Sequence, residues 1–230
     1  MEFNTYKIVF NSAKEDFLKG KILEAQQALF SRWQFSAPKF IRDGIVNEQA
    51  YLESAIKLLF LFDDIKHGHG DDICAFIRAG AKASDWDNVT RWTRGVRNLH
   101  AYIPWERLKD ITSAYREAEL NSVAVISAAK SAGNIHTIAD IEAHVHQDKA
   151  NIKKQIEIYN PELIICCGAG WVYEQACGKQ QWKVSQRGVK YAIDGQRTII
   201  AYYHPCSSTR DNILYYGLTD ALKEIFQKKP

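Results

Sequence analysis

The chain has 230 residues, 46% hydrophobic and 25% charged, with a formal net charge of +3; this is ordinary globular composition, with enough chain for one sizeable core. No apolar run reaches the ~18 residues that cross a bilayer, which argues against a membrane partner, and the mixed Lys, Glu and Asp of residues 1–30 argue against a signal or transit peptide. The five cysteines are odd in number and contain no C-x-x-C, which argues against a disulfide framework, a zinc knuckle and an iron–sulfur cluster. The expectation is a soluble cytoplasmic protein forming a single domain over 1–230, with residues 1–56 as a helical extension packed on it.

Residues 12–32 read as an amphipathic helix, with Phe17, Leu18, Leu23, Ala25, Leu29 and Phe30 as buried positions. A short helix is expected over 47–56. Residues 57–62 form a continuous apolar run bounded by charge, the pattern of a strand covered on both faces. Residues 71–82 and 87–118 read as mainly helical, broken near Pro104. Val123-Ala124-Val125-Ile126 is a second buried strand. Thr137 opens a long helix with a capping-box-like pattern, and Ile138, Ile141, Val145, Ile152, Ile156 and Tyr159 keep helical spacing on one face. Asn160-Pro161 stops it. Leu163 to Cys167 is a third buried strand, ending at Gly168-Ala169-Gly170. A polar hairpin follows, then a strand over 197–203 and a C-terminal helix over 208–227.

Buried strands alternating with helices predict a three-layer α/β/α sandwich around a mostly parallel sheet. In such sheets ligands bind beyond the carboxyl ends of the strands. That rule selects four segments: Asp63-Asp64, Ser127-Ala128-Ala129-Lys130, Gly168-Ala169-Gly170 and His204-Pro205-Cys206. All four are expected at one rim. In the last, proline fixes a backbone dihedral, and small hydroxyl residues and Arg210 follow.

Leu59-Phe60-Leu61-Phe62-Asp63-Asp64, His204-Pro205-Cys206 and the strand Pro161 to Gly168 together resemble the uracil-DNA glycosylase superfamily, in element order over residues 57–225. The resemblance implies a four-stranded, mostly parallel sheet and an enzyme that hydrolyses the N-glycosidic bond of a base flipped out of double-stranded DNA. It implies no cofactor, no metal and no obligate protein partner. Asp63 or Asp64 would position water and support the sugar cation, and His204 would stabilise the departing base anion. Trp86, Trp92 and Phe76 are the aromatic candidates for holding the flipped base. Gly168 would lie beside it, and Lys130 would approach a phosphate. Ser127 stands where relatives often carry Asn; it cannot supply the paired donor and acceptor that reads uracil and leaves more room. The resemblance therefore implies a modified pyrimidine, such as the glucosylated hydroxymethylcytosine of phage DNA. Cys206, Ser207, Ser208 and Arg210 match the loop that relatives push into the duplex, and Ser207 or Ser208 also fits a helix N-cap with Asp211 in the first turn. Two rival readings stay open: an inactive binding module of the same fold, and a hydrolase of free nucleosides.

Other signals are weaker. Lys179, Lys183, Arg187, Lys190 and Arg197, interleaved with Trp182 and Tyr191, fit either a phosphate-tracking strip or a solvated hairpin. Lys66-His67-Gly68-His69-Gly70-Asp71-Asp72 invites a metal reading, but its glycines favour a loop lining the pocket. His144 and His146 lack the spacing of a helical zinc pair and read as a solvated face. Gly168-Ala169-Gly170 lacks the third glycine of a dinucleotide fingerprint.

Overall fold

The computed structural model describes residues 20–34, 39–65, 70–81, 85–130 and 137–227. In chain order the elements are α1 (Lys21–Trp33), β1 (Gly44–Ile45), α2 (Glu48–Leu52), β2 (Leu58–Phe62), α3 (Ile73–Arg78), α4 (Asp85–Arg97) and a 3-10 turn (Trp105–Arg107). There follow α5 (Ser113–Leu120), β3 (Val123–Ser127), α6 (Ile138–Tyr159), β4 (Leu163–Cys167), α7 (Gly170–Cys177), β5 (Lys183–Val184), β6 (Lys190–Asp194), β7 (Arg197–Tyr202) and α8 (Asp211–Gln227).

The fold is mixed α/β, but the sheet is larger than expected. It has seven strands in the order β1-β3-β2-β4-β7-β6-β5 and is mixed, not four-stranded and mostly parallel. The four central strands do run parallel. β1 adds antiparallel to β3, and the polar hairpin β5–β6 continues the sheet antiparallel from β7. Two-residue β1 is too short to show any periodicity. The hairpin reads as a separate feature because its polar face masks the alternation that pairs it with β7.

Helices cover both faces because the central strands are apolar on both. Leu58, Phe60 and Phe62 of β2, with Val123, Ile165 and Ile200, pack on α3, α4 and α8. Leu59 and Leu61, with Ala124, Ile164 and Ile199, pack on α1, α6 and α7. Such two-sided burial is what a continuous apolar strand demands. Phe17 and Leu18 lie outside the described residues. Leu23 and Ala25 are exposed, and α1 instead buries Ile22, Leu29, Phe30 and Trp33.

Local chemistry sets the ends of α6. The Thr137 hydroxyl accepts from the Asp140 N–H at 3.2 Å while the Asp140 carboxylate accepts from the Thr137 N–H at 2.9 Å, a reciprocal cap. At the other end Asn160 takes the left-handed conformation, φ 44°, which asparagine tolerates better than most residues. α8 starts at Asp211 with the Arg210 carbonyl accepting from Ile213 and Leu214. Neither Ser207 nor Ser208 caps it. Arg210 opens the first turn through its carbonyl, and Asp211 carries a different task.

Candidate active site

A cleft of about 470 Å³ opens beyond the carboxyl ends of β2, β4 and β7. Phe62, Asp63, Asp64 and Ile65 follow β2, Gly168 follows β4, and His204, Pro205 and Cys206 follow β7. Trp86 and Val89 of α4 and Ile138 and Ile141 of α6 complete the lining. The acidic pair and the imidazole, 141 residues apart from Asp63 to His204 by subtraction, thus face one cavity.

Gly168 makes this convergence possible. Its φ of 73° turns the chain from β4 into α7, a conformation that a Cβ penalises. It bridges to Phe62, and its N–H donates to the Tyr202 carbonyl at 2.8 Å. The ends of three strands are therefore stitched together at one residue. The Phe62 ring stands edge-on to His204, centroids 5.9 Å apart, and is tilted against Trp86, centroids 6.0 Å apart. This gives the cleft an aromatic wall.

His204 is held in one tautomer. The Cys206 N–H donates to its Nδ1 at 3.2 Å. In the neutral ring the proton therefore sits on Nε2, which is left as a hydrogen-bond donor. The Ser207 N–H donates to the His204 carbonyl at 3.0 Å, closing the turn. Asp63 shapes its own turn: one carboxylate oxygen accepts from the Asp64 N–H at 2.8 Å.

The fourth expected segment is not at the cleft. Ala128 and Ala129 donate to the Phe62 and Asp63 carbonyls at 2.9 and 3.0 Å, so the end of β3 lies against the end of β2. Ser127 is buried, its N–H donating to Asp43 at 2.7 Å and its hydroxyl to the Ala129 carbonyl at 3.0 Å. It is not among the cleft-lining residues, so in this fold Ser127 does not face the base and its small size opens no room in the cleft. Lys130 is 1% exposed and pairs with Asp43, its ammonium 5.1 Å from the Trp33 ring and 5.6 Å from that of Phe30. Burial pulls its pKa below the ordinary lysine range, against the opposing pull of Asp43. It is a core residue and reaches no phosphate.

The aromatic candidates separate in the same way. Trp86 lines the cleft. Trp92 is fully buried against Tyr202, centroids 5.4 Å apart, and Phe76 packs behind Trp86 at 6.5 Å; neither lines the cleft. Cys206 lines it and is exposed; Ser208 and Arg210 are exposed and Ser207 is half-buried, and none of these three is among the lining residues. Ile138, expected on the buried face of α6, is 74% exposed and overhangs the cleft from the first turn. Of the basic strip, Arg187 pairs with Asp220 at 2.6 Å and Arg197 donates to Asn160 at 3.4 Å, while Lys183 and Lys190 are exposed. Residues 66–69 of the histidine-rich loop lie outside the described residues, and among the described residues no group of three or more His, Cys, Asp or Glu could hold a metal.

No family model matches this chain, and no curated protein matches it.

Sequence reasoning missed the residues beneath the His204 loop. Asn88, 5% exposed, donates through Nδ2 to the Pro205 carbonyl at 2.8 Å and to Asp211 at 2.9 Å. Arg91, 4% exposed, donates to Asn88 Oδ1 and to Asp211, both at 2.9 Å. The only available signal was three polar residues at helical positions, which reads as a solvated face.

Proposed function

We propose that the cleft hydrolyses the N-glycosidic bond of a nucleobase flipped out of DNA, releasing the base and leaving an abasic sugar. The observation that carries this reading is the shared cavity: a carboxylate pair and a histidine with its Nε2–H available, against an aromatic wall. Breaking the bond builds positive charge on the sugar and negative charge on the leaving base. Asp63 or Asp64 orients a water and supports the cation, while His204 donates Nε2–H to a base oxygen as charge develops there. Phe62 and Trp86 offer the base apolar surface. Asp63, carbonyl held by Ala129 and carboxylate braced by its own turn, needs little reordering to act.

The cleft is within the size range that takes a drug-sized ligand, larger than a bare pyrimidine ring. This supports a modified pyrimidine. Its described walls are mostly apolar, from Phe62, Ile65, Trp86, Val89, Ile138 and Ile141. They favour an apolar ring substituent over a glucosyl group, whose hydroxyls need polar partners. Arg210, exposed four residues after the cleft-lining Cys206, suits a backbone phosphate.

A second reading, hydrolysis of free nucleosides, draws on one observation: the described lining holds two carboxylates and no Lys or Arg. One assay compares both. Bases liberated from duplexes carrying uracil, 5-alkylated, hydroxymethylated and glucosylated pyrimidines, and from the matching nucleosides, are identified by mass spectrometry. We expect release from duplex DNA, greatest for a modified pyrimidine. Release from nucleosides alone selects the second reading, and release of uracil alone removes the modified-base assignment. Asp63→Asn, Asp64→Asn and His204→Gln are each expected to retain DNA binding. His204→Gln should slow release about 10²–10³-fold, and the slower of the two Asp variants identifies the water-positioning residue.

A further inference from the structure

We propose that Asn88, Arg91 and Asp211 are positioning residues that fix the His204 tautomer by holding the peptide unit between Pro205 and Cys206. The kinetic part of this proposal rests on the glycosylase reading above; the tautomer part does not.

One planar group links Asn88 to the imidazole. The Pro205 carbonyl and the Cys206 N–H belong to the same peptide, and there is no cis peptide bond among the described residues. In a trans peptide the two point in opposite directions and move as one rigid unit. Asn88 Nδ2 grips the carbonyl at 2.8 Å on one side, and His204 Nδ1 receives the N–H at 3.2 Å on the other. Fixing the oxygen therefore aims the hydrogen. Proline adds to this, because its ring fixes φ and narrows the ways this peptide plane can turn.

The grip is itself fixed. An asparagine amide can flip unless both ends are occupied by partners of the right kind. Here Oδ1 accepts from the Arg91 guanidinium, and Nδ2 donates to the Asp211 carboxylate as well as to Pro205. A flip would set the NH₂ against a cation and the oxygen against an anion. Arg91 cannot yield either. Its Nε donates to the Leu108 carbonyl at 2.8 Å, its Nη2 to the Lys109 carbonyl at 3.0 Å, and its guanidinium lies 5.1 Å from the Trp105 ring centre. Asp211, opening α8, joins this array to the element that follows the loop. The chain runs from the segment after α4, through Arg91 and Asn88, to a peptide plane and then the imidazole. Without the Cys206 N–H on Nδ1, nothing among the described residues selects Nε2 as the protonated nitrogen, and the donor facing the leaving base is lost from part of the population.

The test uses the full chain with ¹⁵N-labelled histidine. Nitrogen NMR reads the His204 tautomer in the parent chain, in Asn88→Ala, in the nearly isosteric Asp211→Asn, and in Thr93→Ala. Thr93→Ala is the control for lost stability, because it removes a buried hydroxyl of α4 that donates to the Val89 carbonyl at 2.9 Å. We expect the parent and Thr93→Ala to hold one tautomer with Nδ1 unprotonated. Asn88→Ala should mix the two forms, and Asp211→Asn should do so to a smaller extent. Base release by Asn88→Ala should fall about 10²-fold in kcat with KM little changed. A single, unaltered tautomer in folded Asn88→Ala overturns the proposal, and if that variant does not fold, the same result in Asp211→Asn does so. Absence of base release by the parent chain defeats the glycosylase reading instead, and the tautomer spectra then decide the positioning role alone.

Discussion

At the end of β3, Lys130 and Asp43 have side chains 1% and 0% exposed; beyond β7, Arg91 is 4% exposed but its partner Asp211 is 46% exposed. Both are cation–carboxylate pairs beneath a loop that leaves the rim of the sheet. The first pair draws its loop inward. Asp43 takes the Ser127 N–H and the Gln155 amide, both at 2.7 Å, and the Lys130 ammonium, so the charges of that segment are paired inside the core. The second pair holds its loop by one backbone carbonyl and leaves the side chains of His204 and Cys206 to the cleft. A fully enclosed pair makes a strand end structural, and a half-enclosed pair can support an open site. The cost of burial explains this division: an enclosed charge must have all its partners within the fold, whereas a half-exposed one is also solvated by water.

This contrast can be broken in three ways. The largest effect is expected at the enclosed pair. Lys130→Met leaves Asp43 buried without its cation and should cost about 3–5 kcal/mol in denaturant unfolding, while base release per folded molecule stays unchanged. A loss near that of a surface substitution would show that the pair is not enclosed. Ser127→Ala comes next. It removes one buried hydrogen bond and should cost about 1 kcal/mol, with the preference among bases unaltered; a changed preference would return Ser127 to the site. The smallest effect on stability is expected at Cys206. Its exposed thiol should react first with a thiol reagent, at a stability change within about 0.5 kcal/mol, and the adduct should block base release. Burial pushes the Cys74, Cys166 and Cys167 thiols well up, so they should stay unmodified at neutral pH. Equal labelling of all five cysteines would contradict the buried sheet.

Much of the fold was legible because its signals are local. Continuous apolar runs marked β2, β3 and β4, and the chemistry of Thr137, Asp140 and Asn160 marked both ends of α6. The rule that ligands gather at the carboxyl ends of strands correctly brought Asp63, Asp64, Gly168 and His204 to one cleft. It failed at Ser127 and Lys130 because it places strand ends without saying which way their side chains turn.

That turning is decided by partners distant in the chain. Asp43 lies 84 residues before Ser127 and 87 before Lys130, and Asn88 lies 117 residues before Pro205. No window of periodicity spans such separations, so a buried lysine and a surface lysine read alike in the sequence. Composition and pattern by themselves determined the four central strands and the long helices α6 and α8, since burial of apolar side chains and capping act over a few residues. The tertiary structure alone decided that the hairpin extends the sheet, that β3 ends in the core, and that His204 keeps its Nδ1 as an acceptor, because each depends on a hydrogen bond or ion pair closed only when the layers meet.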